Sequence, residues 1–171
     1  MNLVTRSSHA FVAAALIALA APALAQQKAA PSLKAALTGT TWAVVSADGT
    51  DTKGQKRGIV EGKNVGGQLM LGANGRYSYT LIAEMPKLAK DRLGASPAED
   101  KMVAQGVLSH YGTYTIDEKE RMLVMNIERS SFPNQNGRVS KRAVTMKGGE
   151  LVLDNPARMT GGTTHVVLKK L

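Results

Sequence analysis

Between residues 40 and 170 the chain is a run of short alternating segments, and most of the links between them are too short for anything but antiparallel neighbours. The first segment is Thr40 to Ser46, with Trp42, Val44 and Ser46 on one face. A polar loop, Ala47 to Val65, leads to a second strand, Gly66 to Gly72. Asn74-Gly75 then predicts a tight hairpin into a third strand, Arg76 to Glu84, which aligns Tyr77, Tyr79, Leu81 and Ala83. Ser96-Pro97-Ala98-Glu99 combines a capping hydroxyl, a proline at the first helical position and the acid of a capping box, so a helix is expected to about Ser109. Strand four is Tyr111 to Asp117. The turn Asp117 to Glu120 joins it to strand five, Arg121 to Arg129, where Leu123, Met125 and Ile127 form an apolar stripe. Strand six is Arg138 to Lys147, strand seven is Glu150 to Asp154 after Gly148-Gly149, and strand eight is Thr163 to Lys170.

An eight-stranded meander of this kind can close into an up-and-down barrel, which removes both exposed edges. The expected class is therefore all-β: an antiparallel eight-stranded barrel with one helix between strands three and four. An open sheet or a sandwich of the same strand count is the alternative. A closed barrel of eight strands has room for one small ligand.

The N-terminus adds a location. Arg6 and His9 precede the apolar run from Ala10 to Ala25, which ends in the small-residue pattern Ala23-Leu24-Ala25. This predicts a signal peptide over residues 1–25, cleaved after Ala25, a flexible leader over 26–32 and a domain over 33–171. The run is too short for a membrane span and carries Pro22, and no later stretch qualifies. The protein is expected to be periplasmic or secreted. It contains no cysteine, which excludes disulfide frameworks, thiolate metal sites and cysteine nucleophiles.

Charge and composition narrow the chemistry further. The formal net charge is +9, and Arg129, Arg138, Lys141, Arg142 and Lys147 form a basic stretch with no acid among them. Such a stretch attracts anionic ligands or anionic envelope components, or is a solvated face. Aromatics are only 4%, which argues against nucleic acid as a partner. His110 and His165 have no metal-ligand spacing and are expected at the surface or at a helix end; no metal and no cofactor is expected. Of Tyr111 and Tyr114, alternation allows only one to point inward. Arg142 alternates in phase with Val144 and Met146, so it points into a barrel if that face is internal. A buried guanidinium needs a partner: a ligand carboxylate or phosphate, or an internal ion pair with Glu84 or Glu128; the alternative is a position at the barrel mouth.

Several segments together resemble the bacterial lipocalin-like domain proteins. They are LTGTTWAVVS (Leu37 to Ser46), GGQLMLGANGRYS (Gly66 to Ser78), YGTYTIDEKE (Tyr111 to Glu120), SSFPNQNG (Ser130 to Gly137) followed by Arg142, and GELVL (Gly149 to Leu153). The chain departs from that pattern at its end: Lys169 and Lys170 stand where the family's last strand often carries the Arg that covers the first-strand Trp. The resemblance implies a barrel with an internal pocket for a small hydrophobic or amphipathic ligand. Its walls would come from Trp42, Tyr77, Tyr79, Leu81, Met125 and Val144, with Arg142 orienting an anionic head group. Two other readings stand beside it. One is an enzyme (isomerase, cyclase or hydrolase) acting on a bulky apolar substrate through a raised-pKa carboxylate such as Glu84 or Glu128. The other is a filled barrel that docks on envelope polymers through its basic surface.

Overall fold

The computed structural model describes residues 32–157 and 161–171. The predicted signal peptide and the leader up to residue 31 lie outside the described residues. The elements in chain order are α1 (Leu33–Leu37), β1 (Thr40–Gly49), β2 (Lys63–Leu71), β3 (Arg76–Glu84), α2 (Pro97–Gly106), β4 (Val107–Asp117), β5 (Met122–Ser130), β6 (Val139–Lys147), β7 (Glu150–Asn155) and β8 (Thr164–Lys170). Every strand pairs antiparallel with its sequence neighbours, and β1 pairs with β8 to close the barrel. Neither the open sheet nor the sandwich describes the chain. No helix among the described residues is long and apolar enough to cross a membrane.

Local chemistry explains the joints. Gly148 and Gly149 take φ of 59° and 85°, the conformation that a two-residue hairpin between twisted strands requires. At α2, Ser96 and Glu99 form the expected reciprocal capping box behind Pro97. The Glu99 carboxylate also accepts the Ala89 N–H at 2.7 Å, and with that bond first among its partners its pKa falls to about 2. The helix ends at Gly106, short of the expected Ser109. Val107 and Leu108 instead pair with Ile82 and Leu81, so β4 starts four residues before the expected Tyr111.

The inner faces follow the alternation where the ladder is regular. Tyr77, Tyr79, Leu81 and Ala83 of β3 are buried, as are Leu123, Met125 and Ile127 of β5. Strand β1 departs from it. A bulge between Val44 and Ser46 shifts the phase, so Ala47 packs on the core and Ser46 does not share a face with Trp42 and Val44 throughout. Tyr114 is the inward tyrosine of β4, and its hydroxyl donates to the Gly72 carbonyl oxygen at 2.9 Å, whereas Tyr111 is exposed.

The two ends of the barrel differ. At one end lie the tight turns, the C-terminus and α1. This short helix gives Leu33 and Leu37 to the same buried cluster as Trp42, and that cluster seals the end. Glu118, in the β4–β5 turn, accepts the Leu33 and Lys34 N–H groups at 3.0 and 2.7 Å. Trp42 donates its indole N–H to Thr40 Oγ1 and lies opposite Lys170 across the β1–β8 ladder. The sealing is thus done by a helix that the sequence pattern did not reveal. The other end carries the long connections: residues 50–62, 85–96 and 131–138, together with 156–157 and 161–163.

Truncating Leu37, which is fully buried, should cost about 2–5 kcal/mol, as other leucine-to-alanine cavities do. Urea unfolding of Leu37→Ala checks this; a midpoint unchanged from the parent would mean that α1 does not seal the barrel.

Candidate functional site

At the open end the interior is not filled. A cavity of about 700 Å³ lies between β4, β5 and β6, roofed in part by α2 and by the β1–β2 loop. The Glu61 N–H donates to the Gln105 carbonyl oxygen at 2.9 Å, which ties that loop to the helix. Ile59, Val60, Val107, Leu108, Ile127 and Phe132 supply apolar walls. Arg138, Lys141 and Arg142 also line the cavity, and no acidic residue among the described residues does. The cavity is therefore apolar in its walls and positive in its charge, the surroundings an amphipathic anion needs.

Arg142 is the charged group set deepest, only 8% exposed. Its Nε–H donates to Ser140 Oγ at 3.2 Å and its Nη1 to Thr164 Oγ1 at 2.9 Å. Its Cζ stands 6.0 Å from the Tyr79 ring centroid, within cation–π range. Among the described residues it forms no salt bridge. The expected internal partners are elsewhere on the outer surface. Glu84 accepts from Asn64 Nδ2 at 2.6 Å, and Glu128 takes a two-pronged bond from Arg76 at 3.0 and 2.7 Å. The ion-pair reading of Arg142 is thereby corrected. The reason is alternation: with Leu123, Met125 and Ile127 of β5 and Tyr77, Tyr79, Leu81 and Ala83 of β3 turned inward, Glu128 and Glu84 fall on the outer face, Glu128 beside Arg76. Burial lowers the Arg142 pKa, yet a guanidinium stays charged throughout the ordinary pH range. Of its five N–H groups the Ser140 and Thr164 bonds use two, and no sealed side-chain nitrogen in the described residues lacks a partner. The remaining edge, Nη2, opens to the cavity that Arg142 lines.

His110 is a second correction. It was expected at the surface or a helix end but is buried in the cavity wall, 2% exposed. Because β4 begins at Val107, His110 shares its phase with Gly112 and Tyr114 and points inward. Its Nδ1 lies 2.8 Å from the Tyr77 hydroxyl, and its ring packs on Tyr77 and Tyr79 at 5.5 and 5.3 Å between centroids. Burial, reinforced by the Arg142 charge, lowers its pKa to about 4, so the ring is neutral at pH 7. Burial likewise pushes the Tyr79 phenol up to about 12 and the Tyr77 phenol higher still. All three groups are neutral and lie beside one cation.

Of the seven residues expected to form the pocket, Arg142 lines the cavity. Tyr77 and Tyr79 lie behind it and reach it through His110 and Arg142, while Leu81, Met125 and Val144 pack in the filled core, and Trp42 lies in the cluster at the sealed end. The sequence reading missed His110, Thr164 and the walls contributed by α2 and the loops. Extending the two-residue period of Tyr114 and Gly112 backward would have found His110. A second, shallower cleft of about 320 Å³ lies beside Asp48, Lys56 and His165. Its charges are already paired: Asp48 with Lys56, and His165 with Asp154.

The lipocalin-like domain family matches the chain over residues 39–168. No curated protein and no solved structure matches it.

The neutral histidine has a pH signature. Its folded pKa lies below its unfolded value, so its contribution is complete above about pH 6.5 and is lost as the pH falls toward 4. Glu99, Glu118 and Glu128 are held below the ordinary carboxylate value, so they lose theirs at lower pH. Between pH 7 and 4.5 the parent should lose on the order of 2 kcal/mol from His110, and His110→Asn should lose less than half of that. Equal losses in parallel urea titrations would place the acid sensitivity elsewhere.

Proposed function

The chain belongs to the lipocalin-like domain family, and from that premise we propose that it holds a small amphipathic anion in the open half of its barrel. The observation that carries this is Arg142. A buried cation with no carboxylate partner among the described residues, held by two hydroxyls beside an apolar cavity of about 700 Å³, supports an anionic head group at the guanidinium. The apolar part of the ligand lies along Leu108, Ile127 and Phe132. Arg138 and Lys141 draw anions to the mouth. The enzyme reading lacks the acid it called for, since Glu84 and Glu128 lie outside the cavity and Glu128 is held ionised by Arg76. We further propose that the protein is exported and starts at Gln26. The intact mass of protein from its native cells checks this; a mass that includes the first 25 residues would overturn it.

Titration with dansyl-labelled undecanoate and with its uncharged methyl ester tests the cavity. The acid should bind the parent at least tenfold more tightly than the ester, as loss of a charge-assisted pair implies (about 1.5–3 kcal/mol). Arg142→Met should abolish that preference while its urea midpoint stays unchanged or rises, because a buried charge without a protein counter-ion is replaced by an apolar chain of similar length. A variant that fails to fold would make Arg142 structural. Equal affinity of acid and ester for the parent would remove the anion site.

A further inference from the structure

The same cavity meets a gap in the barrel wall. Its lining takes Ser140 and Arg142 from the inner face of β6 but also Val139 and Lys141 from the outer face. A space that reaches residues of both faces of a strand points to a strand end or an open edge. The ladders place that edge. Residues Val139 to Ala143 pair with β5, yet the β6–β7 ladder starts only at Ala143–Asp154. The next hydrogen-bonded rung of that register would set Lys141 against Pro156, which has no N–H to give, and β7 stops at Asn155.

The direction of the free groups follows from the alternation. The Val144 N–H bonds to the Arg121 carbonyl and the Arg138 carbonyl accepts from Ile127, so the even-numbered residues of β6 turn their backbone groups toward β5. The odd-numbered ones turn away from it, and Ala143 bonds to Asp154 of β7. The N–H and C=O of Lys141 therefore face the opening. No backbone or side-chain hydrogen bond among the described residues takes them up. One residue further along, the Arg142 guanidinium presents its free edge to the same space.

We propose that the ligand class is an N-acylated amino acid, a carboxylate with an amide on its α-carbon and an apolar acyl chain. This inference rests on the anion site described above and deepens it. The ligand's amide N–H donates to the Lys141 carbonyl, as the residue opposite it in an antiparallel ladder would. Its carboxylate accepts from the Lys141 N–H and from Arg142. The acyl chain takes the apolar walls at Ile127 and Phe132. A plain fatty acid satisfies the guanidinium and the walls but leaves the Lys141 carbonyl without its donor.

Displacement of dansyl-labelled undecanoate from the parent protein by three competitors decides it, each used below its micelle concentration. The competitors are N-dodecanoylglycine, pentadecanoate of equal chain length, and N-dodecanoyl-N-methylglycine, which keeps the amide carbonyl and loses the donor. The glycine conjugate should bind at least about fivefold more tightly than either of the others, the worth of one hydrogen bond. Equal affinities of all three would overturn the amide assignment and leave the anion site standing. A glycine conjugate no better than its N-methyl form would overturn it as well. No displacement by any of them, with the dansyl probe itself unbound, would remove the anion site and this inference together.

Discussion

The β1–β8 ladder carries the architecture, because it converts a meander with two open edges into a closed wall with an inside. Closure at eight strands sets a narrow interior. Inward side chains from opposite strands meet wherever they are large, and leave room wherever they are not. Toward the sealed end, Leu69, Leu71, Leu123, Leu151 and Leu168 are all but inaccessible to solvent, and Trp42 with α1 covers them. Toward the open end the inward positions are His110, Ser140, Arg142 and Thr164, polar groups that bond to one another or to Tyr77 and do not fill the space. The division between core and cavity is thus a division in residue type along the same strands. The stable half holds the site half in register.

Those parts of the fold that rest on local chemistry were legible in the sequence. Strand β3 runs from Arg76 to Glu84 as its alternation predicts, and Ser96, Pro97 and Glu99 start α2 as a capping box should. Features that depend on contacts distant in sequence were not. Helix α1 has five residues and no amphipathic period to read. It is held by Glu118, more than 80 residues away. The bulge in β1 moves Ser46 off the inner face, and the bulge in β5 puts Arg129 on the outside where unbroken alternation from Ile127 would turn it inward; a strict two-residue period cannot anticipate either. His110 was hidden by a boundary. Placing the strand start at Tyr111 left it in a linker, although the parity of Gly112 and Tyr114 already assigned it to the interior.

The candidate site shows the same division. Arg142 was legible because its phase with Val144 is local, and the structure buries both. Its partners were not, because they come from β8 and from its own strand two residues back, and because the acids that could have neutralised it are drawn off by Arg76 and Asn64 on the outer surface. Pro156 was visible in the sequence throughout, but its meaning depended on which residue it would have faced. Only the register shows that it ends the ladder opposite Lys141, beside the guanidinium.

The choice of neutral partners around Arg142 is what makes a binding function physically coherent. An internal carboxylate would satisfy the guanidinium permanently, and any anionic ligand would then have to break a buried ion pair at a cost of several kcal/mol. Ser140 and Thr164 instead orient the guanidinium without cancelling its charge. Tyr79 offers a ring face, and its phenol, raised to about 12 by burial, stays protonated and does not neutralise the cation at ordinary pH. His110 follows the same logic with the opposite sign: burial and the Arg142 charge keep it uncharged, so it adds a hydrogen-bonding edge without a second repelling cation. The barrel thereby carries one positive charge into a poorly solvated space and leaves its compensation to whatever enters. On the proposed reading that imbalance favours anions over neutral lipids of the same shape, and the polarity of the proposed ligand is then set by the residues that hold Arg142 as much as by Arg142 itself.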